Sequence, residues 1–385
     1  MASRVYFADV RGKHSLLDKV ERLFRRARLD QVIARRDLVA VKCHFGERGN
    51  TSYVRPQYLR RLVDLIKKAG GKPFLTDANT LYVGGRANAV DHLETAVLHG
   101  FEFAVVGAPV IIADGLLGKD YVNVEVNLKH FRAVKIGSAV HHADALVVVS
   151  HFKGHEATGF GGVLKNVGMG LGCRSGKQMM HSDILPAVGV DKCRGCGRCI
   201  RWCPAGAITL NPRGPVGGVA DERRAPDGLS MKVAAIDPKH CIGCGECTVT
   251  CPEGAIAINW KTEPDLIQEK IVEYAYGVLR EKQGKAAFIT FATDVTPDCD
   301  CCGWSDAPVV RNIGLLASKD PVALDQACVD LVNRERGLES SRLAGLTAGA
   351  DKFRALYPAI DWSRQLAYAE DIGLGKREYE LVRLR

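Results

Sequence analysis

The 385-residue chain has no continuous apolar run near the ~18 residues that a membrane-spanning helix requires. Residues 1–7 lead into a strand-like pattern and lack the apolar core of a secretory signal peptide. These absences predict a cytoplasmic protein with no membrane partner. The 46% share of hydrophobic residues is still large enough for a sizeable core, and the length favours two domains.

Nucleotide-binding fingerprints are also missing. Gly159 and Gly161 begin a G-x-G-x-x-G pattern, but Leu164 occupies the place of the third glycine, and no Walker motif is present. A nicotinamide or nucleotide cofactor is therefore disfavoured, whereas a bound flavin is not excluded. The formal net charge of +9 includes basic helix faces at residues 22–28 and 60–68 without a nucleic-acid recognition motif. We expect no nucleic-acid partner. We interpret the basic faces as solvated helix surfaces, which a soluble, acidic redox partner protein could use.

The chain is rich in cysteine, with 14 residues, and eight of them form two repeats of one pattern. Each repeat reads C-x-x-C-x-x-C-x-x-x-C-P, which is the spacing of a bacterial-type ferredoxin with two [4Fe–4S] clusters. In that pattern the first three cysteines of a run bind one cluster, and the fourth binds the other. One predicted ligand set is Cys193, Cys196, Cys199 and Cys251, and the other is Cys241, Cys244, Cys247 and Cys203.

Two competing interpretations of these repeats are a pair of zinc sites and a disulfide framework. Zinc sites usually combine two close ligand pairs separated by a longer stretch, and disulfides require an oxidising compartment. Glycines at positions 195, 197, 243 and 245 let the backbone approach the sulfurs. The repeats therefore favour two iron–sulfur clusters.

Strand-like and helical patterns alternate outside the cysteine repeats, which predicts an α/β fold with a mostly parallel sheet and flanking helices. An inserted α+β ferredoxin-like domain is expected to interrupt this fold. The predicted domains are 1–184 and 262–385 for the two parts of the α/β domain, and 185–261 for the ferredoxin domain. We interpret residues 212–230 as an exposed loop. Strands are expected at residues 5–8, 38–43, 74–76, 103–106, 145–150 and 287–292, and helices at Ser15, Pro56, Pro264 and Pro321.

A glycine-rich stretch follows the apolar run at residues 145–150, with eight glycines between Gly154 and Gly176. Open α/β sheets bind ligands just beyond the carboxyl ends of their strands, so we predict a site for an unknown small molecule here. The competing interpretation is a flexible loop with ordinary surface residues. The candidate catalytic residues are His155, Lys165 and His181, with the histidines as proton donors, and the candidate substrate-binding residues are Lys153, Gly161, Gly162 and Asn166.

A third stretch reads Asp298-Cys299-Asp300-Cys301-Cys302. Three cysteines and two aspartates in five residues predict a further metal or thiol site at Cys299, Cys301 and Cys302. The competing interpretation is a loop of reduced cysteines that follows a strand. A disulfide between the adjacent Cys301 and Cys302 would be strained, so metal or substrate contact is favoured.

Several of these motifs together resemble one family, number 362 of the domains of unknown function. Residues 151–155 and 161–166 resemble its core motif, and residues 298–302 and 316–325 resemble its C-terminal motifs. Residues 42–47 are similar to its N-terminal motif. The resemblance implies an iron–sulfur protein of α/β type, in which an inserted two-cluster ferredoxin is common. It implies no particular reaction.

These observations favour an iron–sulfur electron-transfer protein or a ferredoxin-coupled reductase. The clusters would pass single electrons from a soluble redox partner to the ligand site on the α/β domain, which makes the chain a possible oxidoreductase. The alternative is a non-enzymatic metal or cluster carrier, or an electron-relay subunit of a separate enzyme.

Overall fold

The computed structural model describes residues 2–82, 84–181, 185–212, 232–241, 243–257 and 263–384. The chain divides into two compact units, which we call the α/β unit (Met1–Cys173 with Glu263–Arg385) and the cysteine unit (Arg174–Thr262). Within the described ranges, none of the helices combines the length and the apolarity that crossing a bilayer would require.

The secondary structure alternates between strands and helices over most of the chain. The strands are β1 (Ser3–Asp9), β2 (Leu38–Lys42), β3 (Lys72–Asp77), β4 (Val110–Ile112), β5 (Tyr121–Glu125), β6 (Ala133–Gly137), β7 (Ala145–His151), β8 (Lys153–His155), β9 (Gly159–Gly161), β10 (Ala187–Val188), β11 (Ile208–Pro212), β12 (Lys232–Ile236), β13 (Ile256–Ala257), β14 (Ala286–Ala292), β15 (Gly314–Ser318) and β16 (Tyr379–Arg383). The helices are α1 (Leu16–Arg26), α2 (Pro56–Lys68), α3 (Ala89–Leu98), α4 (Phe103–Val106), α5 (Ser138–His141), α6 (Val163–Leu171), α7 (Arg174–His181), α8 (Arg198–Arg201), α9 (Glu246–Thr250), α10 (Pro264–Arg280), α11 (Pro321–Asn333), α12 (Lys352–Leu356) and α13 (Ser363–Asp371), with a 3₁₀ turn at Leu29–Val32.

Eight strands form the central sheet of the α/β unit, in the order β16-β1-β15-β14-β7-β2-β3-β4. Five of its seven neighbouring pairs are parallel, and β15 alone runs antiparallel to its neighbours β1 and β14. Every residue of β7 and β15 is buried, as expected for central strands covered on both faces. The predicted α/β class and mostly parallel sheet are confirmed.

The predicted strand at residues 103–106 is wrong, because this apolar run forms α4. Glu102 precedes the run in an extended conformation, and Gly107 ends it with a φ of 72°, in the left-handed region that favours glycine. The edge strand of the sheet is instead β4, a few residues further on. The other predicted strands overlap β1, β2, β3, β7 and β14. Of the expected loop at 212–230, Pro212 ends β11, and residues 213–230 lie outside the described residues.

The carboxyl ends of β2, β3, β7 and β14 lie at one edge of the sheet, because these strands are parallel. The segment after β7 turns through the hairpin of β8 and β9 into α6. Asp325 of α11 accepts hydrogen bonds from the backbone N–H groups of Val163 and Leu164 at 2.7 and 2.9 Å. This carboxylate stabilises the positive end of α6. A Cβ atom at Gly162 would lie 2.3 Å from Asp325 Oδ1, so the cap requires glycine there.

The cysteine unit consists of two similar halves. Antiparallel pairs join β10 to β13 and β11 to β12. The short helices α8 and α9 follow Gly197 and Gly245, which have φ angles of 69° and 71°. A Cβ atom on Gly245 would lie 2.2 Å from the Cγ atom of Gln178 in α7. Because α7 packs this closely on the start of α9, the compact unit begins at Arg174 rather than at the expected residue 185.

We predict that Gly168→Ala lowers the free energy of unfolding by about 1–3 kcal/mol, the usual cost of overpacking. Gly168 lies where α6 meets α10, and its Cβ atom would stand 2.0 Å from the carbonyl oxygen of Ile271. The two helices must therefore move apart. Denaturant unfolding monitored by circular dichroism measures the loss. Met169→Ala, on the half-buried neighbouring position, should cost less, and equal stability of Gly168→Ala and the parent would contradict the packing described.

Candidate functional site

Two cavities in the cysteine unit are each lined by four cysteines. Cys193, Cys196, Cys199 and Cys251 line one cavity. Cys203, Cys241, Cys244 and Cys247 line the other. Each cavity thus takes three cysteines from one repeat and the fourth from the other. None of the 14 cysteines, all within the described residues, forms a disulfide.

The backbone around these cavities directs N–H groups at sulfur atoms. The N–H groups of Ala207, Ala234 and Ala255 donate to the Sγ atoms of Cys203, Cys193 and Cys251 at 3.3, 3.4 and 3.3 Å, respectively. Apolar side chains surround the sulfurs: Ile208, Val233, Ala234, Ala255 and Ile256 form a buried cluster with Cys193, Cys199 and Cys247. Such N–H···S bonds favour negatively charged sulfur within an otherwise apolar site.

Burial keeps at least some of these cysteines neutral when no positive charge is nearby. Burial, reinforced by the neighbouring Cys244 and Cys241, raises the pKa of Cys247 to about 12. Burial likewise raises the pKa of Cys199. Metal ions bind the deprotonated thiolate, and their positive charge stabilises it in a buried site. The cysteine unit therefore has the chemistry of a metal-binding module.

A second group of potential ligands lies at the carboxyl edge of the sheet in the α/β unit. His155, Cys299 and Cys301 each offer one ligand atom, and these atoms all lie within 4.8 Å of one another. The Nζ atom of Lys165 donates a hydrogen bond to Cys299 Sγ at 3.2 Å. His155 and Cys299 are buried, whereas Cys301 and Lys165 are half-buried. We call these four residues the histidine–cysteine site.

Asp300 anchors the loop that carries the two cysteines. Its Oδ1 atom lies 2.8 Å from His151 Nδ1, and its Oδ2 atom lies 3.2 Å from Lys153 Nζ. His151 Nε2 faces the carbonyl oxygen of Thr293 at 2.9 Å, so both ring nitrogens face oxygen acceptors. Burial alone would raise the pKa of Asp300, but the His151 and Lys153 charges lower it well below its usual value.

A buried ion-pair network lies beside this loop at the ends of β2 and β3. Lys42, which is fully buried, lies 3.1 Å from Asp77 and donates to Asn166 Oδ1 at 2.6 Å. The amide of Asn166 donates in turn to the carbonyl oxygen of Val149 at 3.0 Å. Asp77 also pairs with Arg86 at 3.4 Å. The side chain of Asn166 is therefore engaged within the protein, where it links α6 to β7.

The structure assigns the sequence-derived candidates to different surroundings. His155, Lys165, Cys299 and Cys301 come together, whereas Lys153 is neutralised by Asp300. A Cβ atom at Gly161 would lie 3.2 Å from Lys165 Cδ, so this glycine makes room for that lysine. Cys302 does not belong to the histidine–cysteine group. His181 lies at the end of α7 in the cysteine unit.

A protein-family comparison matches residues 39–330 to the Domain of unknown function (DUF362). The chain belongs to the DUF362 family. No curated protein matches it. The matched range includes the cysteine repeats, the histidine–cysteine site and the network around Lys42.

Two solved structures resemble this DUF362 chain in part. One is the lactate racemase apoprotein from Thermoanaerobacterium thermosaccharolyticum, with 12% identity and a TM-score of 0.38 over 76% of this chain and 51% of that chain. The other is a protein from Thermotoga maritima, with 9% identity and a TM-score of 0.38 over 94% of this chain and 60% of that chain. This chain therefore spans less than two thirds of the length of either structure.

Three residues that position the DUF362 site have no clear signal in local sequence. Asp300 and Asp325 are buried carboxylates whose partners lie 149 and 162 residues away along the chain, and Arg86 is a buried cation in a loop. Asp300 stands between two cysteines, which suggests a metal ligand rather than an anchor. The position of Asp325 on a mostly apolar helix, Pro321–Asn333, is the one local hint that a buried carboxylate is needed.

Asp300→Asn should lower the free energy of unfolding by about 3–5 kcal/mol, the usual cost of removing one partner from a buried ion pair. The change removes the negative charge that faces His151 and Lys153. Asp306→Asn is the matched control in the same loop, because Asp306 and its partner Arg342 are both exposed and such pairs contribute about 0–1 kcal/mol. Denaturant titration measures both variants, and equal losses would contradict the anchoring role of Asp300.

Proposed function

We propose that the cysteine unit of this DUF362 protein holds two [4Fe–4S] clusters. We further propose that the protein transfers single electrons between a soluble redox partner and a ligand site in the α/β unit. The observation that carries the proposal is the pair of cavities lined by four cysteines each. In each cavity the fourth cysteine comes from the other repeat, as in two-cluster ferredoxins.

The residues around both cavities fit such clusters. Four thiol donors line each cavity, and thiolate is the ligand that iron–sulfur clusters prefer. Gly195, Gly197, Gly243 and Gly245 all have φ angles between 66° and 71°, so the loops curl with no strain from a side chain. The cysteines of each set would hold one cluster, which supplies one-electron chemistry when bound.

The protein groups around the sulfurs would tune that chemistry. The N–H groups of Ala207, Ala234 and Ala255 stabilise negative charge on sulfur, which favours the reduced state and raises the reduction potential. The apolar surroundings act in the opposite direction, because they disfavour added charge. The potential is thus set by a few hydrogen bonds in a largely apolar shell.

In the α/β unit, the electron acceptor would bind at the carboxyl edge of the sheet. Lys165 provides a half-buried positive charge there, which suits an anionic acceptor. The alternative role, an electron relay for a separate enzyme, would need no acceptor at this edge.

We predict about eight iron ions per chain in anaerobically reconstituted protein. Cys203→Ser and Cys241→Ser should each retain about four, and so should their double variant, because both cysteines line the same cavity. The double variant Cys199→Ser with Cys203→Ser alters both cavities and should retain almost none. Cys328→Ala, a buried cysteine of α11, is the control and should keep all of the iron.

Iron and sulfide analysis together with the ultraviolet–visible spectrum measures these outcomes. If the Cys199 and Cys203 double variant keeps about four iron ions while the Cys203 and Cys241 double variant loses nearly all, the clusters are not shared between the repeats. If the parent protein binds zinc and no iron under these conditions, the electron-transfer proposal fails.

Electron delivery to the α/β unit makes a separate prediction. Dithionite-reduced protein is mixed rapidly with a series of small anionic acceptors, and cluster reoxidation is followed by absorbance. Lys165→Met should slow reoxidation at least about tenfold for the acceptor that uses the site, since charge-assisted contacts contribute about 1.5–3 kcal/mol. Lys319→Met, an exposed lysine hydrogen-bonded to Gln31, is the charge-matched control. Equal rates for both variants with every reactive acceptor would favour the relay role.

A further inference from the structure

We infer that His155, Cys299 and Cys301 form a third metal site, built for one zinc-class divalent ion and separate from the two cysteine cavities. The inference is independent of the clusters, because it rests on residues of the α/β unit alone. It extends the proposed function by placing a metal centre at the carboxyl edge, where ligands bind in open α/β sheets.

The spacing of the three ligand atoms suits a small ion. Ligands at 2.0–2.3 Å from a tetrahedral zinc ion stand roughly 3.5–3.8 Å apart. The three atoms here lie within 4.8 Å of one another, so small side-chain rotations bring them to that separation. Two sulfurs and one imidazole nitrogen are donors that favour zinc over magnesium or calcium.

Rigid elements hold the three ligands in place. His155 ends β8, a short strand in which all three residues are buried. A Cβ atom at Gly154 would lie 2.0 Å from the carbonyl oxygen of Pro297, so β8 packs directly on the cysteine loop. Asp300, between the two cysteines, is held by His151 and Lys153. The site is thus preorganised by contacts that do not involve the ligand atoms of the cysteines.

The charges around the sulfurs also point to a cation. The sulfurs of Cys299 and Cys301 lie within 4.8 Å of each other, so two thiolates would repel each other here unless positive charge compensates them. Lys165 donates to Cys299 and supplies one positive charge. A divalent ion would supply the remaining positive charge, and that charge favours deprotonation of the coordinating thiols.

Three protein ligands leave one coordination position open. Structural zinc sites usually have four protein ligands, whereas catalytic sites have three and bind water or substrate at the fourth position. Cys302, although next in sequence, lies outside the group of three. Cys301 and Lys165 are only half-buried, so the site is accessible from their side. The open position would accept water or a small anionic ligand.

The test is X-ray absorption at the zinc edge on anaerobically prepared holo protein supplied with zinc, together with metal analysis. We expect about one zinc ion per chain, with two sulfur and two nitrogen or oxygen neighbours at about 2.3 and 2.0–2.1 Å. Substitution of a residue that hydrogen-bonds to a metal ligand usually weakens metal binding roughly 10–100-fold. Cys301→Ser and His155→Gln each remove a ligand itself, so each should weaken zinc binding by more than that. Both variants should keep the iron content of the parent.

Cys328→Ala is the control, since this buried cysteine of α11 does not belong to the group of three. It should bind zinc as the parent does. A zinc shell of four sulfurs, or zinc binding by Cys301→Ser and His155→Gln at the parent's affinity, would overturn the inference. Circular dichroism and iron content show whether each variant is folded, so a misfolded Cys301→Ser protein leaves His155→Gln as the deciding variant.

Discussion

A buried cysteine sulfur holds negative charge more readily when positive charge or hydrogen-bond donors lie beside it. In the cysteine unit, burial raises the pKa of Cys247 to about 12, with Cys244 and Cys241 adding to the effect. In the α/β unit, the Cys299 sulfur lies against Cys301 and receives one hydrogen bond from Lys165. Metal ions supply positive charge to grouped sulfurs at close range, so the grouped thiols of both units fit a metal-associated role for this DUF362 protein.

The two units bring their thiols together on different scaffolds. The cysteine unit uses short loops in which glycines such as Gly195 and Gly243 adopt φ angles of 66° and 67°, so that several sulfurs of one run point the same way. The α/β unit uses the edge of a parallel sheet, where β7 and β14 bring distant segments together. Lys165 and Cys299, for example, are 134 residues apart in sequence. Short-range turns suit a cluster, whereas a sheet edge suits a site that combines a metal with an incoming ligand.

This difference explains what could be predicted from the sequence. The cysteine spacing is local, so the grouping of Cys203 with the second repeat follows from the pattern alone. The strands β2, β3, β7 and β14 could also be predicted from the sequence, because turn residues bound their apolar runs. The proximity of His155 to Cys299 depends on the strand order, which one sequence does not encode locally. The run at residues 103–106 became a helix because Gly107 offers a left-handed end, a signal that its apolar composition obscured.

Native mass spectrometry of the anaerobically isolated full-length chain tests the central claim most directly. Two [4Fe–4S] clusters add about 700 Da to the polypeptide mass, and the account predicts this excess, with about 65 Da more when the histidine–cysteine site holds zinc. The excess should disappear after acid treatment. A mass that matches the bare polypeptide, or one that exceeds it by zinc ions alone, would contradict the account.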